Sequence, residues 1–374
     1  MELINIDSTP VNPFTVPESA TDATQDNSTV LYSTDVDMED MLLEAERTNG
    51  SSGEVSEIHR TNSIDIDELM HSPQFDWKVV KEPLSRFHKT NHRNVFTHQS
   101  ITRSDNGRDL GIVRAGSYLL HNAGFFEFIR PLAESEHFTL STVALIDGGR
   151  TIAAVLKNNH IGRLEAFKDD PMEGVIIARA TRSSVPLVHI GSLLWRLVCK
   201  NGMVALDYDR HKIDPKSNIA IEGRRITNML ERSGAKAKEA MSRFQDMANY
   251  RMSAYESDQY RRRSLGLVWD DPELLLDTPE DHEHHRLEMQ KNARVLGKVE
   301  SSHEIQAEML PPELRETLYH EYQSITGYVT HHRSLNSKTK FKELHWGTGR
   351  KIIDRGFKVA TELMDAQPLN QVAI

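Results

Sequence analysis

Residues 138–156 read FTLSTVALI, DGGR and TIAAVL in succession. Phe138 to Ile146 and Thr151 to Leu156 alternate or run apolar, and Asp147-Gly148-Gly149-Arg150 stands between them with the glycines a tight reversal needs. The reading is an antiparallel β-hairpin, and the fold class follows from its surroundings. Upstream, Leu110-Gly111-Ile112-Val113 reads as a strand after the turn signal Asp105-Asn106-Gly107. Asn122 to Ala133 reads as a helix whose apolar surface comes from Phe125, Phe126, Phe128, Ile129 and Leu132. Downstream, Val175 to Ala180 and Pro186 to Ile190 read as strands. Leu193 to Val198 is apolar, and Lys200-Asn201-Gly202 is a turn before Met203 to Leu206. The expectation is an α+β protein with a mainly antiparallel sheet over 76–215, starting at Phe75-Asp76-Trp77 and a short apolar segment that Glu82-Pro83 ends. Residues 85–109 are polar and basic and suggest no element.

The second half changes character. From Asn218 to Arg263 proline is absent, and Ile219, Ile226, Met229, Leu230, Ala237, Met241, Phe244, Met247 and Ala248 sit at helical spacings. One long helix or two consecutive helices are expected, with Ser233-Gly234 as the candidate interruption. Thr278-Pro279-Glu280-Asp281 has an N-cap residue followed by proline at the first helical position. Pro311-Pro312-Glu313-Leu314 is expected to open another helix, Ser334 to Lys340 to be a loop, and Lys351 to Met364 a final helix. A helical region over 216–365 thus packs on the sheet domain, and 366–374 is a loose terminus.

Composition sets the N-terminal part aside. Of 374 residues 38% are hydrophobic and 27% charged, polar enough that part of the chain is expected not to fold. Residues 1–75 hold 16 acidic residues against Arg47 and Arg60, a net of −14 within an overall −10, which leaves a body of +4. Residues 1–74 therefore read as a disordered acidic leader. A transient helix over Asp35 to Arg47 and a second acidic patch over Ile64 to Met70 lie within it. The plain reading is a solubilising tail. The sharper one is a regulatory tail whose carboxylates compete with a phosphate backbone, so that removing 1–74 tightens DNA binding at low salt.

Several function classes fall away. No apolar run reaches the roughly 18–20 residues of a membrane-spanning helix, and the N-terminus lacks a secretory signal's basic and apolar regions. One cysteine, Cys199, excludes an internal disulfide framework and a multi-cysteine zinc site, and points to a reducing cytoplasm. Its apolar neighbourhood reads as core. There is no GxxxxGK[ST], no GxGxxG after a strand, no GxSxG and no HExxH, so no cofactor is implied. His282-Glu283-His284-His285 could offer two metal ligands at i, i+3, but its charged surroundings read as a solvated helix face. His331-His332 is weaker still. Asp147, Asp207, Asp209 and Asp214 could be imagined as a metal-dependent nuclease site. Turn and strand-end roles account for them without further ligands.

The cations say more. Arg108 and Arg114 flank the first strand; Arg179, Arg182, Arg196, Lys200, Arg210 and Lys212 lie in or around the sheet; Arg224 and Arg225 open the long helix and Arg261-Arg262-Arg263 close it. Lys338, Lys340, Lys342, Arg350, Lys351, Arg355 and Lys358 crowd the C-terminal segment. Tyr118, Tyr208, Phe341 and Trp346 are interleaved. Single-stranded nucleic acid is held by cations that track its backbone and aromatic faces that stack on its bases. The twelve candidate contacts are Arg108, Arg114, Tyr118, Arg179, Arg182, Arg196, Lys200, Tyr208, Arg210, Lys212, Arg224 and Arg225. Ordinary surface charge is the competing account.

Asp109-Leu110-Gly111-Ile112-Val113, followed by Tyr118, Asn122 and the phenylalanine-rich helix, resembles the opening of the phage/plasmid-like DUF932 family. Leu197-Val198-Cys199-Lys200-Asn201-Gly202-Met203 and the Gly148-Gly149-Arg150 turn fit the same pattern, over roughly residues 76–265. Trp346-Gly347-Thr348-Gly349-Arg350-Lys351 departs from the family's usual segment there. The resemblance implies a mobile-element product with no established enzymatic signature. Its order of elements is analogous, at the level of fold alone, to single-strand annealing proteins of the Rad52/Redβ type. The resulting expectation is a phage- or plasmid-encoded, non-enzymatic protein that binds single-stranded DNA, rather than RNA, in support of annealing, recombination or replication. It is expected to be a cytoplasmic homo-oligomer. A non-catalytic accessory protein and a metal-dependent nuclease are the alternatives.

Overall fold

The computed structural model describes residues 30–33, 57–60, 64–88, 91–159, 163–167, 170–182, 188–196, 211–213, 219–267, 279–333 and 337–366. In chain order the elements are β1 (Val30–Ser33), β2 (Glu57–Arg60), α1 (Ile66–His71), β3 (Val79–His88), β4 (Asn91–Arg103), β5 (Asp109–Arg114), α2 (Asn122–Ala133), β6 (Phe138–Ile146), β7 (Thr151–Asn158), β8 (Arg163–Phe167), β9 (Asp170–Thr181), β10 (Val188–Arg196) and β11 (His211–Ile213). Then come α3 (Ile219–Asn249), α4 (Ala254–Leu265), α5 (Pro279–Met309), α6 (Leu318–Gly327), α7 (Ser337–His345) and α8 (Thr348–Ala366).

The hairpin β6–β7 is the centre of an eight-stranded sheet ordered β11-β10-β9-β7-β6-β1-β2, with β8 also paired to β9. The β1–β2 pairing is parallel, and the others described in this sheet are antiparallel. Alternate residues of a strand point to opposite faces. Here that sorts them into two cores. Val143, Leu145, Ile152, Ala154 and Ile176 face α2, while Ala144, Ile146, Ala153, Val155 and Ile177 face the C-terminal helices. Both faces are dry, which is why these strands read as nearly continuous apolar runs rather than alternating ones. On the α2 side Phe125, Phe126 and Ile129 are fully buried, and Phe75 meets Phe126 edge to face with centroids 5.2 Å apart. Each such ring contributes about 1.5–3 kcal/mol on burial. The three-stranded sheet β3-β4-β5 packs into this same core through Val79, Ile101, Leu110 and Val113.

The helical layer covers the other face. Its middle member is α6, buried at every residue from Leu318 to Gly327. Arg261 donates to both carboxylate oxygens of Glu321 at 2.7 and 2.9 Å, and the His303 and His320 rings stack with centroids 3.8 Å apart. A π-helical turn, Tyr328–His332, follows.

The α+β class, the antiparallel sheet and the helical C-terminal half stand as expected. Several elements differ. Ile64 to Met70, assigned to the leader, forms α1: Asp65 caps it by accepting from the Asp67 and Glu68 amides, and Ile66 and Leu69 join the α2 core. The α2 core therefore takes in residues about ten positions before Phe75. Pairs β1 and β2 also come from the leader; its transient helix over 35–47 lies outside the described residues. The polar 85–109 stretch holds the end of β3 and all of β4, and β3 carries on through Pro83. α3 runs uninterrupted through Ser233-Gly234 because Ala237, Met241 and Phe244 anchor its far half, and the break falls at Tyr250–Ser253 instead. Pro312–Leu314 is a single 3-10 turn, and α6 starts only after Thr317 caps it. Ser337 to Lys340, expected as loop, is the start of α7. No helix among the described residues is long and apolar enough to cross a membrane.

Candidate nucleic-acid interface

Two of the twelve candidate residues, Arg108 and Arg182, meet at the turn of the central hairpin. Asp147, Gly148 and Gly149 all have positive φ, at 53°, 63° and 97°. A Cβ on Gly148 would run into the Arg108 guanidinium, and one on Gly149 would lie 2.6 Å from the Trp77 ring. Arg103 and Arg182 both stack over Trp77, at 4.2 and 4.8 Å. Arg103 Nη1 donates to Gly148 O at 3.1 Å, and Arg182 donates to Gly149 O and Asn122 Oδ1. From the helical side Arg179 stacks over Trp346 at 4.9 Å, and Lys342 Nζ lies 3.7 Å from Asp147 Oδ2.

This cluster is an internal clasp, not a phosphate track. Arg182 is 7% exposed, and burial, with the nearby Arg103 charge, lowers its pKa to about 9. Its donors close the turn against α2, so it is withdrawn from any ligand, contrary to the expectation for it. Arg179 is half-buried against Trp346. Several helical cations have acidic neighbours. Arg261 pairs with Glu300 and Glu321, Arg262 with Asp258 at 2.7 Å, Arg263 with Glu362 at 2.7 Å and Arg350 with Asp354 at 2.7 Å. Lys340 is buried. Arg196 ends β10, and Lys212 lies in β11 opposite His189, which in turn lies opposite Arg179. Arg224 and Arg225 fall in the early turns of α3. Lys200, Tyr208 and Arg210 lie outside the described residues.

Arg114 and Tyr118 belong to a different place, the three-stranded sheet. Arg114 ends β5 opposite His98. Lys81 Nζ donates to Ala115 O at 3.1 Å and Ser117 O at 2.7 Å, pinning the loop that presents Tyr118, which is 38% exposed. Strand β5 pairs only with His98 to Thr102 of β4, so β3 and β4 extend past it as a two-stranded ribbon. Its register sets Leu84 opposite Val95, Ser85 opposite Asn94, Arg86 opposite Arg93, Phe87 opposite His92 and His88 opposite Asn91. Between Glu82 and Asp105 the sequence contains no acidic residue, while it contains Arg86, Lys89, Arg93 and Arg103 with His88, His92 and His98. The ladder breaks at the root of this ribbon. Pro83 pairs with Gln99 but Leu84 pairs with Val95, so Phe96, Thr97 and His98 have no opposite number on β3. Phe96 is 83% exposed.

The ribbon was invisible to hydrophobic periodicity, because its sequence has no apolar stripe. The available signal was its lack of carboxylates in a chain that is otherwise acidic.

The other candidate chemistries gain nothing. Asp147 sits in the turn beside Lys342, and Asp207, Asp209, Asp214 and Cys199 lie outside the described residues. Among the described residues no three His, Cys, Asp or Glu side chains are grouped to hold a metal ion. His282 and His284 are exposed on α5, where Glu283 is paired with Arg286 at 2.6 Å.

No curated protein and no solved structure matches the chain. The signature of the family described as Domain of unknown function (DUF932) matches residues 109–351. That range starts at the first residue of β5, later than the resemblance at residue 76 suggested, and runs through the central sheet and helical layer into α8. It takes in the hairpin, its glycine turn and the α2 phenylalanines from which the fold was read. With well over half of its length covered, the chain belongs to the DUF932 family.

Proposed function

We propose that the protein binds single-stranded nucleic acid through the β3–β4 ribbon, by charge neutralisation and without covalent chemistry, in support of annealing, recombination or replication. The carrying observation is the cross-strand pair Arg86–Arg93 on a ribbon whose sequence lacks carboxylates. Like charges directly opposite in a ladder are destabilising. A polyanion relieves that repulsion, and the counterions it releases drive binding. Arg114 and Tyr118 extend the same sheet at its solvent side. The ribbon precedes the matched family range, so this reading is made for this chain and not for the family. Homo-oligomerisation fits a protein that presents strands over a long surface, and belongs to the same proposal.

The test is a titration of a fluorescent single-stranded oligonucleotide at two salt concentrations, with and without magnesium. Binding that weakens with salt and is indifferent to magnesium is expected. Single strands give a log–log salt slope of about −0.7 per phosphate contact, so the double variant R86Q/R93Q should flatten the slope by roughly 1.4. Salt-independent or absent binding would reject the reading in favour of an accessory protein. Magnesium-dependent cleavage would reject it in favour of a nuclease.

A further inference from the structure

Phe96 has no structural duty that accounts for it. It is the most exposed large apolar side chain among the described residues, at 83%, and it lies where the β3–β4 ladder is broken. Pro83, with no amide hydrogen, stands at the break on β3. On the other side the strand stays fixed, because the Ala115 amide donates to Thr97 O at 3.0 Å and His98 pairs with Arg114. A bulge of this kind re-aims a side chain while its neighbours stay anchored. The result is an aromatic ring presented to solvent at the root of a cationic arm.

We propose that Phe96 is a stacking platform for an unpaired base, and that it gives the ribbon its preference for single strands over duplex. The proposal rests on the binding reading above and goes beyond it by naming the discriminating residue. Cations on the arm attract paired and unpaired polynucleotides alike, since both carry phosphates. An aromatic face reaches only a base whose own face is free, and every base has one, so the contact tolerates any sequence. In duplex DNA the base faces are already stacked on each other, and Phe96 gains nothing there.

The experiment uses the full chain and its F96A and F96W variants, each titrated with a short fluorescent oligothymidylate and with a duplex of the same length. The exposure of Phe96 makes both variants compatible with the fold, which circular dichroism checks. F96A should weaken oligothymidylate binding by roughly five- to a hundredfold, the range expected for loss of one stacking contact. Its duplex affinity and its salt slope should not change. F96W should retain affinity, and its added indole fluorescence should be quenched by saturating oligothymidylate. Equal loss for both ligands, or no loss, overturns the inference while leaving the binding reading intact. If the wild type binds neither ligand, the binding reading itself fails and takes this inference with it.

Discussion

Arg86 and Arg93 stand directly opposite each other across the β3–β4 ladder. Like charges at directly opposite positions disfavour pairing, and this stretch of sequence holds no carboxylate. Replacing one, as in R93T, should therefore protect the ribbon amides more strongly in hydrogen exchange while weakening single-strand binding. A gain in protection with unchanged affinity would leave the pair without a ligand-binding role.

Arg182 is the contrasting cation. Its guanidinium satisfies Gly149 O and Asn122 Oδ1 in a nearly sealed space and stacks on Trp77. The R182M substitution leaves two buried acceptors without donors, at about 1–3 kcal/mol each. Chemical denaturation should show a loss of about 2–6 kcal/mol, and the folded variant should bind single strands as the wild type does. A selective loss of binding would return Arg182 to the interface.

Two glycines should respond with opposite signs. Gly149 has φ of 97° and no room beside Trp77, so G149A should destabilise by about 1–3 kcal/mol. Gly234 lies within α3 with open space where its Cβ would stand. There G234A should stabilise by about 0.5–1 kcal/mol, because alanine loses less backbone freedom on entering a helix. Thermal unfolding of the two variants checks the pair.

The stacked histidines make stability depend on pH. Burial, together with the neighbouring His303, lowers the His320 pKa to about 4 from an ordinary 6.5, and burial lowers that of His303 as well. The unfolded chain therefore binds more protons than the folded one between about 6.5 and 4. Stability from this source is present above 6.5 and is lost as pH falls through that window, by up to about 3 kcal/mol for His320. Denaturation midpoints of wild type and H320N should converge toward pH 4, the wild type falling more steeply. Parallel pH profiles would assign the acid sensitivity elsewhere.

What could be read from sequence was whatever a dry interface writes into it. The hairpin at 138–156 and α2 were legible because both sheet faces and one helix face exclude water, which demands apolar residues at fixed periods. The ribbon was not legible, since the sequence over Arg86, His88, Asn91 and Arg93 carries no apolar alternation. α3 ran through Gly234 because packing of Phe244 and Met247 outweighs the roughly 1 kcal/mol a helical glycine costs. Charge counting picked out Arg114 and Tyr118, which are exposed, but it could not tell that Arg182 lies inside the body or that Arg261, Arg262 and Arg263 each have an acidic neighbour. Those are facts of tertiary proximity that one-dimensional composition does not carry.

The interruption at Pro83 and Leu84 has a mechanical consequence. Backbone pairing transmits rigidity only where the ladder is continuous, and here three residues of β4 separate the outer rungs from the inner ones. The outer rungs are thus joined to the inner ones across a single break in the ladder, apart from the sealed interior. Substitutions in those outer rungs should therefore leave the stability of the sealed interior unchanged.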